Sequence, residues 1–555
     1  MINNTVSVSK ERVNTALSFD TILDKIILWI VIISLLLFIL YPIIMVISTS
    51  FFYRGEFTLN NYKNLFSQKN LILIKNSLLV VILSSVLATI ISTCIALFIF
   101  VQMEGIQKLS YKALILSMIS PPFVSSLALI SLFGRRGLIT HNLLGLSVNP
   151  YGWQGIVLLQ TLGKVPLSTI LLLGALNSID RRQILASRDL GATANETLKN
   201  IVLSAISPTI LAVLFLNFTM NLSDFGTPVI IGGKFKMLAT ETYKMIFSSG
   251  DLGKAAAMSV LLIIPAIFAF LFYNKNVVNI YNKSDGTKAL GQGGYQFKLS
   301  KGLNFILGFI TISFFIIVIL KYGSVFLLSI SNNATGKLVF TMDNIKKVRF
   351  LYMNAFIRSI TFAIIAGIVS SIIGILLSYY NHRRKIKGMK YIEFVSSLPY
   401  IIPGIFFGLG YIVAFNNEPL LLTGTTIIVI LNTTFRHISV SNKAANAAFA
   451  NIDTRLEDAS QDLGASKFRT ITNVIFPLLR TVFLTSFINT FTAAMTTVGA
   501  IIFLVSPKNV VASVVMFRDI ERGGYGQAAV MASILIIITV VVNLVAMKLL
   551  KKEEV

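Results

Sequence analysis

The sequence predicts an all-α, polytopic membrane protein with about twelve transmembrane helices, arranged as two parallel six-helix repeats. Hydrophobic residues make up 55% of the 555-residue chain and charged residues only 13%, whereas soluble domains average about 25% charged residues. Several apolar runs reach the ~20 residues that an α-helix needs to cross a bilayer. Two similar polar segments, residues 185–204 and 458–477, lie 273 residues apart.

The apolar runs are expected to be helices, because backbone polar groups in lipid must be paired within their own segment. A transmembrane β-barrel would instead show alternating segments of ~10 residues. The twelve predicted spans are residues 26–50, 76–101, 113–133, 155–177, 201–231, 256–273, 304–330, 355–381, 392–416, 422–446, 476–505 and 526–548.

Polar stretches divide the chain into two halves. The predicted units are a tail at 1–25, a first half at 26–274, a linker at 275–303, a second half at 304–550 and a tail at 551–555. The linker is polar and contains several glycines. Lys and Arg are mildly enriched in the tails, the linker and the loops on their side, which predicts that both termini face the cytoplasm of a cell-membrane protein.

Charge and cysteine content exclude several functions. The formal net charge is +25, but the basic residues are scattered through short loops, so nucleic-acid binding is not predicted. A single cysteine, Cys94, gives no disulfide framework and no cysteine metal site. His141, His382 and His437 are far apart in sequence, so no metal site is predicted. The basic outer loops suit an acidic partner or an anionic solute, or reflect a generally basic composition.

The two halves align beyond the polar segments. FTLNNYKNLF at 57–66 resembles FTMDNIKKV at 340–348. Each half has an even number of spans, so both copies share one orientation. Lys164 and Arg436 are each the only base away from the ends of the fourth and tenth spans. Two interpretations stay open for them: snorkelling to the surface or a contact between the halves at a gate.

The repeated polar segments predict a pair of loops that grip a separate protein. Their small residues allow close approach, and their glycines let the chain turn without a Cβ clash. The two aspartates of the Asp-Leu-Gly-Ala cores cap the following helix or pair with a base on the partner. The alternative is an ordinary amphipathic interfacial helix. The candidate residues are Ala186, Ser187, Asp189 and Gly191 in the first loop and Asp458, Ala459, Ser460, Asp462 and Gly464 in the second.

These segments resemble the EAA motif, EAA-x3-G-x9-I-x-L-P, of the inner-membrane permeases of binding-protein-dependent ABC importers. The second copy fits at Asp458, Ala459, Ser460, Gly464, Val474, Phe476 and Pro477. In the first copy Leu185 stands in place of the glutamate and Ser204 in place of the proline. We therefore expect the first loop to couple more weakly or with a different geometry.

The resemblance implies a non-catalytic permease, with one copy forming both halves of the solute pathway across the lipid bilayer. It implies two copies of an ATP-binding subunit inside and a solute-binding protein outside. No cofactor is expected on this chain, because ATP and Mg would be bound by the partner. No Walker A, GxGxxG, HExxH or GxSxG motif appears in a context that favours an enzyme.

Two further segments are similar to fused permeases for iron(III), 2-aminoethylphosphonate, and thiamine or polyamines. They are SPPFVSSLALISLFGRRGLIT at 120–140 and SDFGTPVIIGGKFKMLATETY at 223–243. The resemblance makes iron(III) the first expected solute and 2-aminoethylphosphonate the second. An ion-coupled secondary transporter is the alternative from another class, but Asp224 is the one acid that stands clearly within a predicted span. A membrane scaffold would leave the paired loops unexplained.

Residues of the solute pathway are predicted near kinks and at one buried acid. An acid at membrane depth is a functional hypothesis, although Asp224 at the outer end of the fifth span also suits a helix cap. Paired prolines in the third and ninth spans are expected to kink the pore helices. The candidate pathway residues are Asp224, Thr227, Pro121, Pro122, Pro399 and Pro403.

Overall fold

A computed structural model describes residues 20–53, 56–121, 123–135, 137–281, 299–332 and 339–553. Pro122 and residues 282–298 of the predicted linker lie outside this part of the chain. The described residues are mainly α-helical, which confirms the predicted fold class. They also form two antiparallel hairpins: β1 (Phe52–Tyr53) pairs with β2 (Glu56–Phe57), and β3 (Ser331–Asn332) pairs with β4 (Val339–Phe340).

The structure describes twelve helices before residue 282. They are α1 (Asp20–Ser50), α2 (Asn60–Leu65), α3 (Gln68–Phe100), α4 (Glu104–Met118), α5 (Val124–Phe133), the π-helical turn α6 (Leu138–Leu143), α7 (Trp153–Asn177), α8 (Arg181–Asp189), α9 (Ala194–Leu222), α10 (Gly226–Ile231), α11 (Leu238–Lys244) and α12 (Leu252–Tyr281). A π-helical segment, Met245–Ser249, follows α11.

The structure describes ten helices after residue 298. They are α13 (Lys301–Ser329), α14 (Asp343–Arg383), α15 (Met389–Ile401), α16 (Gly404–Ala414), α17 (Thr426–Phe449), α18 (Arg455–Asp462), α19 (Lys467–Leu478), α20 (Arg480–Thr496), α21 (Ala512–Glu521) and α22 (Tyr525–Glu553).

Eight of the described helices are long and apolar enough to cross a membrane, judged by length and composition: α1, α3, α7, α9, α12, α13, α14 and α22. Two bent pairs, α15 with α16 and α19 with α20, raise the number to ten. The twelve predicted spans therefore exceed this count by two. The predicted span at 113–133 is divided between α4 and α5, and the one at 422–446 lies on α17, whose core includes polar residues.

Several helices extend beyond the predicted apolar runs. Helix α1 begins at Asp20, within the predicted tail, and α12 continues to Tyr281, within the predicted linker. Helix α22 continues to Glu553, within the predicted C-terminal tail. Hydropathy marks the apolar part of a helix, whereas backbone hydrogen bonding lets the helix continue into the polar region, so these helices are longer than the predicted spans.

The first helix of each half packs against the other half. Tyr411 of α16 donates a hydrogen bond through its hydroxyl to the backbone oxygen of Phe38 in α1, at 2.8 Å. In the opposite direction, the hydroxyl of Tyr322 in α13 donates to the backbone oxygen of Ile119, at 3.1 Å. Helices α1 and α13 therefore cross between the halves and hold them together.

The repeated sequence at 57–66 and 340–348 anchors the two hairpins. The amide of Asn61 donates to the backbone oxygens of Ser50 and Phe52, at 3.0 Å each. At the same place in its motif, Asn344 donates to the backbone oxygen of Ser331, at 3.1 Å. Each asparagine thus fixes the chain at the point where the first helix of its half ends.

Candidate functional site

The two polar loops have the same backbone. Helix α8 ends at Asp189 and is followed by Gly191 with φ of 83°. Helix α18 ends at Asp462 and is followed by Gly464 with φ of 84°. A side chain in this left-handed conformation costs about 1–2 kcal/mol. An added Cβ would meet no atom within 4 Å at either glycine, so backbone conformation, and not lack of space, favours glycine here.

The same hydroxyl pair braces each loop. The side-chain oxygens of Ser187 and Thr197 lie 3.0 Å apart in the first loop. Those of Ser460 and Thr470, each 273 residues later, lie 3.1 Å apart in the second. The predicted small residues Ser187 and Ser460 are therefore half-buried against the helix that follows each loop, while Ala186 and Ala459 are exposed.

The helix after each loop is capped by a hydroxyl residue. The side chains of Thr193 and Ser466 accept hydrogen bonds from the backbone N–H three residues later, at 3.3 and 3.2 Å. The capping role considered for Asp189 and Asp462 is therefore wrong. Both carboxylates are exposed, and neither has a hydrogen-bond or ion-pair partner among the residues that the structure describes.

The most exposed large hydrophobic side chain in each loop is a leucine that sequence analysis missed. Leu190 is 89% exposed and Leu463 is 90% exposed. Each stands directly before the left-handed glycine, which turns the chain and leaves the leucine projecting at the end of the short helix. The available signal was the repeated Asp-Leu-Gly-Ala core, in which a large apolar residue recurs within a polar segment. Together these residues form two matched convex surfaces suited to a partner.

The loops are fastened to the helices in different ways. In the first loop Ile184 is buried in a hydrophobic cluster that also contains Leu198. The residue 273 positions later is Glu457, which forms an ion pair with Arg383 at 3.3 Å. Burial raises the pKa of Glu457, against the opposing effect of the Arg383 charge. The same backbone is thus held by apolar contact in one half and by an ion pair in the other.

The structure brings together two of the predicted pathway residues. Asp224 Oδ1 accepts a hydrogen bond from the backbone N–H of Thr227, at 3.2 Å, which caps the start of α10. The amide of Gln160 on α7 donates to Asp224 Oδ2 at 3.4 Å. Lys164, one turn further along α7, lies within electrostatic range of this carboxylate. Asp224 is therefore a helix cap that is also part of a polar group inside the first half.

The predicted prolines stand at helix breaks. Pro121 is buried between α4 and α5, and the following break contains Phe123 with φ of 72°. Pro399 lies inside α15, and Pro403 begins α16, which is bent by 115° from α15. Proline has no N–H and cannot continue the hydrogen-bond ladder, so these breaks leave carbonyl groups that need other donors.

Arg436 supplies one such donor. Its Nη1 donates to the backbone oxygen of Ile402 at the break between α15 and α16, at 2.8 Å. This hydrogen bond lies within the second half, so it is neither a contact between the halves nor snorkelling, and both interpretations of Arg436 stay predictions. The described interaction of Lys164 with Asp224 likewise lies within one half.

The two polar loops, formed by α8 and α18 with the turns that follow them, are called the first and second coupling loops below. An aromatic cluster joins the halves at the end opposite these loops. Helix α9 leads away from the first loop for 29 residues, about 40 Å at 1.5 Å per residue. Beyond it, Phe517 of the second half lies 4.9 Å from Phe123 and 6.0 Å from Tyr243, measured between ring centroids. Phe503 lies 5.3 Å from Phe247. These rings pack across the boundary between the halves.

A polar contact accompanies the aromatic cluster. The Tyr243 hydroxyl donates to Glu521 of the second half at 3.4 Å. Burial, and then the Glu521 charge, raise the pKa of Tyr243, so its hydroxyl stays protonated as a donor. Burial also raises the pKa of Glu521. Among the described residues, no group of three or more His, Cys, Asp or Glu side chains is placed to hold a metal ion.

The sequence matches a family model described as "Binding-protein-dependent transport system inner membrane component" twice, at residues 106–277 and 370–551. The chain is 31% identical over 456 residues to the ferric transport system permease protein FbpB of Actinobacillus pleuropneumoniae, and this alignment covers 78% of the chain. It is 32% identical over 410 residues to a putative ferric transport system permease protein of Haemophilus influenzae, covering 71% of the chain.

These alignments cover 64% and 63% of the lengths of the two relatives, which is less than two thirds of each. A putative 2-aminoethylphosphonate transport system permease protein of Salmonella paratyphi A is 26% identical over 204 residues, covering 36% of the chain and 75% of that protein.

Proposed function

We propose that this chain, which belongs to the family of binding-protein-dependent transport system inner membrane components, is the permease subunit of an ABC importer. One copy of the chain forms both halves of the solute pathway, at 26–274 and 304–550. The observation that carries the proposal is the pair of loops with matched backbone, in which Leu190 and Leu463 project beside left-handed glycines. Such a pair provides one docking surface for each of two ATP-binding subunits.

The partners supply what this chain lacks. ATP and Mg are bound by the two docked subunits, and this chain binds no cofactor of its own. A solute-binding protein docks at the end that carries the aromatic cluster. Because the ATP-binding subunits work in the cytoplasm, the coupling loops and both termini face that side of the inner membrane.

Transport requires the coupling loops at one end of the protein to move the aromatic cluster at the other end. ATP binding draws the docked subunits together and displaces α8 and α18, and the helices that follow them carry this displacement towards the aromatic cluster. The rings of Phe123 and Phe517 then separate and open the pathway to the binding protein. ATP drives this movement because it binds more tightly to one of the two arrangements of the halves.

Co-purification tests this function directly. The chain is expressed with candidate ATP-binding and binding-protein subunits from the same organism, and ATP hydrolysis is measured in proteoliposomes. We expect a stable complex whose ATP hydrolysis rises when solute-loaded binding protein is added. A chain that transports solute with no ATP-binding subunit attached would instead support an ion-coupled secondary transporter and contradict the proposal.

Iron(III) is the proposed solute, because two relatives that align over 456 and 410 residues are described as ferric transport permeases. 2-Aminoethylphosphonate is the second candidate, on the shorter similarity to the phosphonate permease. Uptake of radioactive iron and of labelled 2-aminoethylphosphonate is compared in cells with and without the gene. Loss of iron uptake alone supports the first solute, and loss of phosphonate uptake alone overturns it.

Asp224 and Thr227, with the proline-containing breaks, are proposed to border the pathway. Asparagine at position 224 retains an acceptor for the Thr227 N–H but removes the negative charge near Lys164. We therefore expect Asp224→Asn to assemble normally and to reduce solute uptake. Full uptake by this variant would leave Asp224 with its capping role alone.

A further inference from the structure

We propose that Asp20 and Asp24 are positioning residues that fasten helix α1 to the second coupling loop, so that α1 carries the displacement of this loop to the far end of the first half. The displacement of the loop rests on the proposed function. The contacts that Asp20 and Asp24 make do not, because the structure shows them between two segments distant in sequence.

Asp20 contacts the chain immediately after the second coupling helix. Its Oδ2 accepts a hydrogen bond from the Ser466 hydroxyl at 2.6 Å and lies 3.3 Å from Nε of Arg469. Ser466 is also the residue that caps α19. Asp20 therefore fastens α1 to the turn between the coupling helix α18 and the next helix, α19.

Asp24 makes the second contact one helical turn later. Its carboxylate forms an ion pair with Arg384 and accepts a hydrogen bond from the Tyr380 hydroxyl at 3.2 Å. Asp24 is only 3% exposed. Arg384 follows Arg383, whose own ion pair holds Glu457 in the coupling helix. At the end of α14, Arg383 therefore contacts the coupling helix α18, and the next residue, Arg384, contacts α1.

Helix α1 connects this clamp to the other half of the molecule. It passes α16 in the middle of the membrane, where Tyr411 contacts Phe38. Just beyond its far end, the backbone of Phe52 approaches Gly253 of the first half so closely that an added Cβ would lie 2.6 Å from the Phe52 oxygen. One continuous helix therefore links the second coupling loop to α12 of the first half.

The equivalent helix of the second half has no such acids. The hairpins that follow α1 and α13 begin at Phe52 and Ser331, 279 residues apart. Adding 279 to the positions of the two acids gives Leu299 and Leu303, which pack against the hydrophobic cluster that contains Ile184 of the first coupling loop. The corresponding site is therefore apolar, and among the described residues the charged clamp of Asp20 and Asp24 belongs to the second loop.

The test uses Asp20→Asn, Asp24→Asn, and the charge reversal Asp24→Arg alone and combined with Arg384→Asp. Glu104→Gln is the matched control, because Glu104 forms an exposed ion pair with Lys108 at 2.5 Å and belongs to neither coupling loop. Two quantities are measured: amide hydrogen exchange in the purified chain without partners, and solute transported per ATP hydrolysed in the reconstituted complex.

We expect both asparagine variants to speed exchange at 455–470 several-fold while exchange at 182–197 stays unchanged. The amount of solute transported per ATP should fall several-fold, because hydrolysis continues while loop movement is lost. Asp24→Arg should be more severe, and the combined reversal should recover the ratio. A role in folding alone would lower transport and hydrolysis together and leave their ratio unchanged.

The proposal is overturned if exchange at 455–470 is unchanged, or if exchange rises while the transport ratio stays at the wild-type value. If Asp24→Arg does not insert into the membrane, both measurements are made on the two asparagine variants. Failure of the proposed function has a different signature. In that case the wild-type chain shows no ATP hydrolysis that responds to a binding protein, while the exchange measurement still reports whether the clamp exists.

Discussion

The two coupling loops share a backbone but differ in the chemistry that holds them. Gly191 and Gly464 have φ values of 83° and 84°, and the hydroxyl braces differ in length by only 0.1 Å, 3.0 against 3.1 Å. Yet the first loop is seated on Ile184 in an apolar cluster, and the second on the ion pair of Glu457 with Arg383. Backbone geometry presents the docking surface, and different side chains can hold it in place.

This comparison limits where unequal coupling can arise. The first motif lacks the acid and the proline of the second, and we expect it to couple more weakly. The backbone of the loops themselves gives no reason for such weakness, but the helices that follow differ: α9 is continuous, whereas α19 and α20 are bent by 71°. A difference in coupling can therefore come from this bend, from side chains that contact the partner, or from how firmly each loop is attached to the helices.

The largest expected effect is that of Gly464→Trp. The substitution adds about 1–2 kcal/mol of backbone strain and places a large ring on the docking surface. We expect ATP hydrolysis stimulated by the binding protein to fall at least about tenfold, the equivalent of ~1.4 kcal/mol, with a smaller fall for Gly191→Trp. Gly145→Trp is the control, since Gly145 has φ of 65° and open space around it but lies outside both loops. Equal losses at positions 191 and 464 would contradict the expected asymmetry.

The next effect is that of Leu463→Ser and Leu190→Ser. Burying a leucine on docking contributes about 1.5–3 kcal/mol, so each change should weaken binding of the ATP-binding subunit roughly ten- to hundredfold. Thermal stability of the isolated chain should not change, because both side chains are almost fully exposed. The affinity is measured from the binding of the purified ATP-binding subunit to the immobilised chain. Leu143→Ser is the control, because Leu143 is exposed outside the loops, and an equal loss there would refute the assignment.

An exchange of residues between the loops tests the acid of the motif. Leu185 occupies the position 273 residues before Asp458. An exposed ion pair contributes about 0.2–1 kcal/mol, so Asp458→Leu should reduce stimulated ATP hydrolysis by less than about fivefold. Leu185→Asp should increase it slightly. If Leu185→Asp lowers the rate as much as Asp458→Leu does, the two loops contact the partner through different residues.

The smallest effect concerns pH and is confined to the second loop. Burial raises the pKa of Glu457 above that of an unfolded-state glutamate. The folded protein therefore binds this proton more tightly, and the Glu457 contribution to the free energy of unfolding rises as pH falls through the raised pKa.

Glu457→Gln should remove this contribution. The measurement is the change in melting temperature between neutral and mildly acidic buffer, which should be more positive in the wild type than in the variant. Ile184→Val in the first loop is the control and should leave the pH dependence unchanged. Identical pH dependence in Glu457→Gln and the wild type would show that this carboxyl is not perturbed.

Much of this protein follows from local sequence. Apolar runs predict membrane helices because lipid rewards apolar side chains and requires paired backbone groups. The repeated Asp-Leu-Gly-Ala core predicts the two loops because glycine alone adopts the left-handed turn at little cost. The helix ends and the count of spans were less accessible. Helix α17 and the break at Pro121 depend on polar or bent segments that hydropathy alone does not describe.

Only the tertiary structure decided which distant segments meet. It pairs Asp20 with Ser466 across 446 positions and Asp24 with Arg384 across 360. It also sends α1 and α13 to the opposite halves and places Phe517 against Phe123. Composition and spacing fix what each segment is, since these are properties of neighbouring residues. Which acid meets which base depends on how the helices cross, and that is set by the packing of the whole chain.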